Sequence, residues 1–162
     1  MIKADLTLLL DEFLSRYDDE KHLIYQDLPE WTPEKGGGYH TRLGGRVHPI
    51  WDTAKFINLV YYLDRKDCMM KAENAILSFL KTQDMNPSSK TYGLWAYYYE
   101  ENLSQMLNPD FNWASFISNQ MMYILKKCPS RVSPATKEKM LKSLKAAAEC
   151  VIKRNASPDY TN

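Results

Sequence analysis

The stretch DTAKFINLVYYLDRKDCMMKAENAILSFL, Asp52 to Leu80, reads as two amphipathic helices set back to back. Phe56, Ile57, Val60 and Leu63 recur at the three-and-four spacing of one helical face, and Met69, Ala72, Ile76, Phe79 and Leu80 repeat it. Asp64-Arg-Lys-Asp67 leaves room for a turn only, so the two helices are antiparallel neighbours. Asp52 or Thr53 is the expected cap of the first.

Outward from this hairpin, three more segments carry helical spacing. Toward the N-terminus, Leu6, Leu9, Leu10, Phe13, Leu14 and Tyr17 form a stripe that ends at the acidic cluster after Arg16. Toward the C-terminus, a helix starting around Asp110 aligns Trp113, Ile117, Met121, Ile124 and Leu125. The last opens with Ser133 as cap and Pro134 as first helical residue, then lines up Met140, Leu141, Leu144, Ala147, Ala148, Val151 and Ile152. No stretch alternates as a strand does, so the expected class is all-α, about five helices in antiparallel hairpins. At 162 residues, 44% hydrophobic and 25% charged, the chain is expected to form a single helical domain over 1–162.

The connections are uneven. About thirty residues separate the first two helices and about twenty-five the third and fourth, against ~2–8 for ordinary helical bundles. With consecutive helices running up and down, both long loops fall at one end of the molecule. Those loops hold all six glycines and all three histidines, and the four tryptophans lie in them or at the first turn of the following helix. Long loops on a rigid helical scaffold are where binding and catalysis concentrate, so a ligand cleft is expected at that end.

Several classes are excluded. Lys plus Arg is 21 against 20 for Asp plus Glu, which leaves no global field for nucleic acid or an anionic membrane. Locally, residues 1–30 carry three basic and eight acidic groups, and residues 126–154 nine basic and two acidic. The lysines of the last segment, Lys139, Lys142 and Lys153 among them, lie opposite its apolar stripe, as a solvated face does. Cys68, Cys128 and Cys150 are odd in number and widely spaced, and no signal peptide or spanning apolar run is present, so a cytoplasmic location is expected. Neither a metal nor another cofactor is implied: His22, His40 and His48 show no ligand spacing.

Two motifs point to a ligand. Gly36 to Pro49, GGGYHTRLGGRVHP, lacks the Gly-Lys-Ser/Thr of a phosphate loop. It reads either as a turn-rich hairpin or as a lip that binds sugar or carboxylate through Tyr39, His40, Arg42, Arg46 and His48. Thr91 to Glu101, TYGLWAYYYEE, gathers five aromatics and two carboxylates, with Tyr92 and Trp95 offering faces to stack on sugar rings. The same residues would equally pack the loop onto the helix ends. Glycoside hydrolysis needs two carboxyl groups across the scissile bond, and Asp52, Glu100, Glu101 and Asp110 are the candidates at the loop ends. Each also suits a capping or solvated role, and the adjacent Glu100 and Glu101 are expected to point apart.

Tyr39-His-Thr-Arg42, Gly45-Arg-Val-His-Pro49, Thr91-Tyr-Gly-Leu-Trp95, Phe111-Asn-Trp-Ala114 and Arg154-Asn with Pro158-Asp-Tyr-Thr-Asn162 together resemble the N-terminal part of an (α/α)-toroid protein of the six-hairpin glycosidase type. The resemblance implies a carbohydrate-binding, glycoside hydrolase-like domain with Asn112 and Trp113 among the sugar contacts and an oligosaccharide or polysaccharide as partner. A complete ring of twelve helices needs on the order of 390 residues. The chain is therefore expected to be an incomplete toroid, an N-terminal fragment whose unclosed edge is a candidate surface for self-association. Two alternatives stand beside this: a polysaccharide lyase-like toroid fragment, with Tyr92, His40 or His48 as base and Arg42 or Arg46 against a uronate, or a non-catalytic helical interaction module.

Overall fold

The structure, a computed structural model, describes residues 2–29, 43–106 and 108–154. Among these the chain is mostly helical: α1 Ile2–Ser15, α2 Ile50–Leu63, α3 Met69–Leu80, α4 Asn112–Lys127 and α5 Pro134–Arg154. The expectation of no strands is corrected by two short antiparallel ribbons, β1 Tyr17–Asp18 with β2 Leu23–Ile24, and β3 Gln26–Leu28 with β4 Gly45–Val47. Two or three residues are too few to display alternation. Turn chemistry makes the first ribbon: Asp18 Oδ1 accepts the N–H groups of Glu20 and Lys21 at 2.8 and 3.0 Å, and His22 takes a left-handed φ of 59°.

The expected cap of α2 is also corrected. Pro49 holds the cap position, where no side chain bonds to the first turn, and Asp52 lies inside that turn, where a carboxylate favours the positive end of the helix. Thr53 is buried; its Oγ1 donates to Pro49 O and accepts the Ile24 N–H at 3.1 Å, tying α2 to β2. At the other end, Asp64 closes α2 in the left-handed conformation with its N–H on Val60 O. The α5 start is as expected, Ser133 Oγ accepting the Thr136 N–H.

α2 packs on α3 and α4 on α5; α2 also lies beside α4, α3 beside α5, and α1 packs on α2. Phe56, Tyr61, Ile76, Phe79, Ile117 and Met140 are buried at the centre. Trp95 joins them from the second long connection, 1% exposed and stacked on Phe79 at 5.9 Å.

The buried face of α5 differs from the expected stripe. Leu141 and Ile152 are 55% and 79% exposed and Ala148 is exposed, while Ser143, Ala146, Ala147 and Cys150 are buried. The cause is a close approach. Gly93 sits at φ +83°, and a Cβ there would lie 2.2 Å from Ala146 O. Gln83 locks the contact, its Nε2 donating to Gly93 O at 2.9 Å and Ser143 O at 3.1 Å while its Oε1 accepts the Ser143 hydroxyl. Small side chains permit this approach where leucines would hold the loop away. The lysines Lys139, Lys142, Lys145 and Lys153 do face solvent.

Both long connections meet at one end, as the loop lengths imply. Pro49 bridges to Tyr98 and Gln83 to Trp95; Ile50 N–H donates to Tyr97 O at 2.8 Å, and Tyr99 N–H to His48 O at 3.0 Å. The end of α5 arrives there too, Arg154 donating to Lys90 O.

Two glycines separate backbone strain from steric contact. Gly45, at φ +71°, has open space where a methyl would stand, with nothing within 4 Å, whereas Gly93 combines positive φ with the Ala146 backbone. Gly45→Ala is expected to cost about 1 kcal/mol and Gly93→Ala more than about 3 kcal/mol, measured by thermal unfolding. Equal losses would show that the loop yields without disturbing α5.

Candidate functional site

His48 is the centre of the loop end. It is fully buried, between β4 and α2, and each ring nitrogen meets a carboxylate: Nδ1 lies 2.5 Å from Glu100 Oε1 and Nε2 3.1 Å from Asp18 Oδ2. The His48 backbone N–H donates to Glu100 Oε2 at 2.9 Å, so Glu100 grips the residue by ring and backbone together. Each ring nitrogen thus has a carboxylate oxygen as its hydrogen-bond partner. Burial pushes the Asp18 carboxyl up, but the N–H groups of Lys21 and Glu20 and the His48 ring outweigh it and hold Asp18 below its ordinary value. For Glu100 burial is likewise outweighed, here by the ring and backbone N–H of His48. The arrangement fastens β1, the start of α2 and the second long connection to one another.

Beside this clamp lies a row of half-buried rings. Tyr97 and Trp113 stack with centroids 4.0 Å apart, and Trp51 lies 5.8 Å from Trp113. Two of them have their polar atoms held by the protein: Trp113 Nε1 donates to Ala96 O at 3.2 Å and Tyr97 Oη to Asp110 Oδ2 at 3.1 Å. α2 and α4 each deliver one tryptophan from the first turn, and the loop supplies the tyrosine.

The four candidate carboxylates all hold the protein together. Glu100 and Glu101 do point apart, Glu101 being buried with Oε2 on the N–H groups of Tyr97 and Tyr98 at 3.0 and 3.2 Å. Asp110 accepts the Asn112 N–H at 2.9 Å, steering the chain into α4. Asp52 meets Lys55 at 3.3 Å and Arg16 at 3.6 Å.

Of the expected sugar contacts, Tyr39, His40 and Arg42 lie outside the described residues. His48 and Trp95 are corrected: the first is enclosed by its carboxylates and the second belongs to the core, so neither offers a face to a ligand. Arg46 is exposed, paired with Asp27 at 3.1 Å and set over the Tyr25 ring at 3.8 Å. Tyr92 is half-buried, its hydroxyl pushed up by burial and by Glu149, opposite to what a base requires. Asn112 and Trp113 stand together at the start of α4 with Trp51 and Tyr97 nearby.

Sequence reasoning missed Asp18, read only as part of a helix-ending acidic cluster. It also missed a polar pocket of about 610 Å³ beyond Tyr99, between the end of α3 and the turn at Leu103–Gln105. Asn86-Pro-Ser-Ser and Asn102-Leu-Ser, both at its rim, are side-chain-to-backbone turn sequences and were its legible trace. Among the described residues no cluster of His, Cys, Asp and Glu is suited to a metal ion, and no helix is long and apolar enough to cross a membrane. The three cysteines are buried and unpaired.

A family model described as a domain of unknown function, DUF8769, matches residues 48–162, and the chain belongs to that family. No curated protein and no solved structure matches it. The matched segment begins at His48 and contains Glu100, while Asp18 precedes it.

The clamp sets a pH dependence. Asp18 and Glu100 are depressed in the native state, so their contribution is complete above the ordinary carboxylate range and is lost as pH falls through the native values. Urea unfolding midpoints are therefore expected to drop on acidification from pH 7, and to drop less steeply in Glu100→Gln. His48→Ala, which leaves the two carboxylates without their shared donor, is expected to cost on the order of 3 kcal/mol at pH 7; a change below about 1 kcal/mol would remove the clamp from its central place.

Proposed function

We propose that this member of the DUF8769 family is a carbohydrate-binding helical domain of the glycosidase-like (α/α)-toroid kind, taking an oligosaccharide at the end where its long connections meet. The toroid reading is supported by the pairing of α2 with α3 and α4 with α5, with α2 beside α4 and α3 beside α5, the relation that successive hairpins of such a ring have. The observation that carries the ligand is the ring row Trp51, Tyr97 and Trp113 at the loop end. Flat apolar faces beside fixed polar groups suit sugar rings, whose faces are apolar and whose edges carry hydroxyls.

The reading is one of binding. Hydrolysis requires two carboxyl groups facing across the bond, whereas Asp52, Glu100, Glu101 and Asp110 are each engaged by groups of the protein. The lyase alternative is weakened by the same geometry, since Tyr92 is pushed up, His48 is enclosed and Arg46 is paired with Asp27.

Titration calorimetry with neutral oligosaccharides tests this. Trp51→Ala is expected to weaken binding at least fivefold with an unchanged far-ultraviolet spectrum, and Arg46→Ala to leave neutral and acidic sugars ranked as before. Selective loss of acidic-sugar binding in Arg46→Ala would favour the lyase reading. One observation favours a helical interaction module instead: Met122, Tyr123, Leu141 and Ile152 on α4 and α5 are exposed. A concentration-dependent dimer in light scattering, abolished by Ile152→Lys, together with silence toward all sugars, would replace the carbohydrate reading with that one.

A further inference from the structure

We infer that the polar pocket beyond Tyr99 is a subsite for one neutral saccharide unit, reached from the ring row across the Tyr97–Glu101 turn. The inference rests on the carbohydrate reading and names where, within the loop end, hydrogen-bonding recognition occurs. The pocket's volume, about 610 Å³, lies in the range of small-molecule sites.

Its chemistry selects the ligand. Asn86 Oδ1 accepts the Ser88 N–H at 3.1 Å, and Asn102 Oδ1 accepts both the N–H and the hydroxyl of Ser104 at 3.0 and 2.8 Å. These bonds fix each amide with its oxygen turned to the backbone, and neither Nδ2 donates to another group among the described residues. Lys81 Nζ and the Tyr99 hydroxyl, at the same pocket, likewise have no hydrogen-bond partner among the described residues. The groups left open to solvent are therefore chiefly donors, and a ligand that replaces their water is one rich in oxygen acceptors.

An anion would satisfy donors, but Asp84 and Glu101 also line the pocket. Burial raises Asp84, yet the hydroxyls of Ser89 and Thr91 and the Asn86 N–H overcome it and hold the carboxyl below its ordinary value. One lysine against two carboxylates makes the pocket unfavourable for phosphate or a uronate. Hydroxyl groups both accept and donate, so a neutral sugar can meet the amides and the lysine with its oxygens and a carboxylate with its protons. Tyr99, 39% exposed, supplies a ring at the mouth. Its backbone N–H is bonded to His48 O, so the clamp positions this wall.

Amide-resolved NMR titration of the full chain tests the assignment, with cellobiose, maltose and N,N′-diacetylchitobiose as neutral probes and inorganic phosphate and digalacturonate as anionic ones. At least one neutral disaccharide is expected to give saturable shifts across residues 81–89 and 99–104. Asn86→Ala with Asn102→Ala should weaken it at least tenfold; Lys81→Met, which leaves both asparagine turns intact, should weaken it severalfold and guards against a folding defect in the double variant. Shifts confined to the surroundings of Trp51 and Trp113 would overturn the pocket while sparing the carbohydrate reading. Silence toward every neutral sugar would overturn both, and shifts at 81–104 from phosphate or digalacturonate alone would overturn the choice of a neutral ligand.

Discussion

An imidazole held between two carboxylates organises the loop end of this protein. His48 stands at the entry to α2, Asp18 in the first ribbon and Glu100 in the connection between α3 and α4, so three segments far apart in sequence share one buried ring. The ring alone would be costly to bury. With a carboxylate at each nitrogen and Glu100 also on the backbone N–H, each polar atom has a partner, and the directionality of these bonds fixes where the segments lie. From that point Tyr98 bridges to Pro49 and Tyr97 receives the Ile50 N–H, which sets the height of the aromatic turn above the helices.

A second constraint works from the opposite side. The chain after α3 presses onto α5 so closely that only glycine fits at residue 93, and Gln83 bonds across the contact. Trp95, two residues on, is driven onto Phe79 as part of the core. The aromatic segment is therefore divided in use. Trp95 anchors, Tyr97 stacks on Trp113, and Tyr99 remains exposed beside the polar pocket. A rigid anchor followed within four residues by half-buried and exposed rings holds those rings in place.

The candidate carboxylates illustrate how a residue type suited to catalysis can serve architecture. Asp110 starts α4 and receives the Tyr97 hydroxyl, Glu101 closes a turn through two backbone N–H groups, and Asp52 neutralises Arg16 and Lys55. Each of these roles stabilises the loop end of the molecule. The polar pocket has the complementary character, because its asparagines spend their oxygens on turns and, among the described residues, keep their nitrogens unspent.

Much of the fold was legible because it depends on local periodicity. The apolar spacing located all five helices, Ser133 and Pro134 marked the start of α5, and loop lengths placed both long connections at one end. These features follow from helix geometry and chain connectivity, which sequence spacing records directly. The buried face of α5 was misread because hydrophobicity favours Leu141 and Ile152, while the neighbouring loop demands the smaller Ser143, Ala146 and Cys150. Asp18 with His48 and Glu100 was invisible for a related reason: the three are 30 and 52 positions apart, and no periodicity links them. Sequence alone determined which segments are helical and that aromatic and polar residues gather at one end. Only tertiary structure decided which of those residues are buried partners and which stay exposed, because a carboxylate or a ring becomes one or the other through the donors and surfaces that distant parts of the chain bring to it.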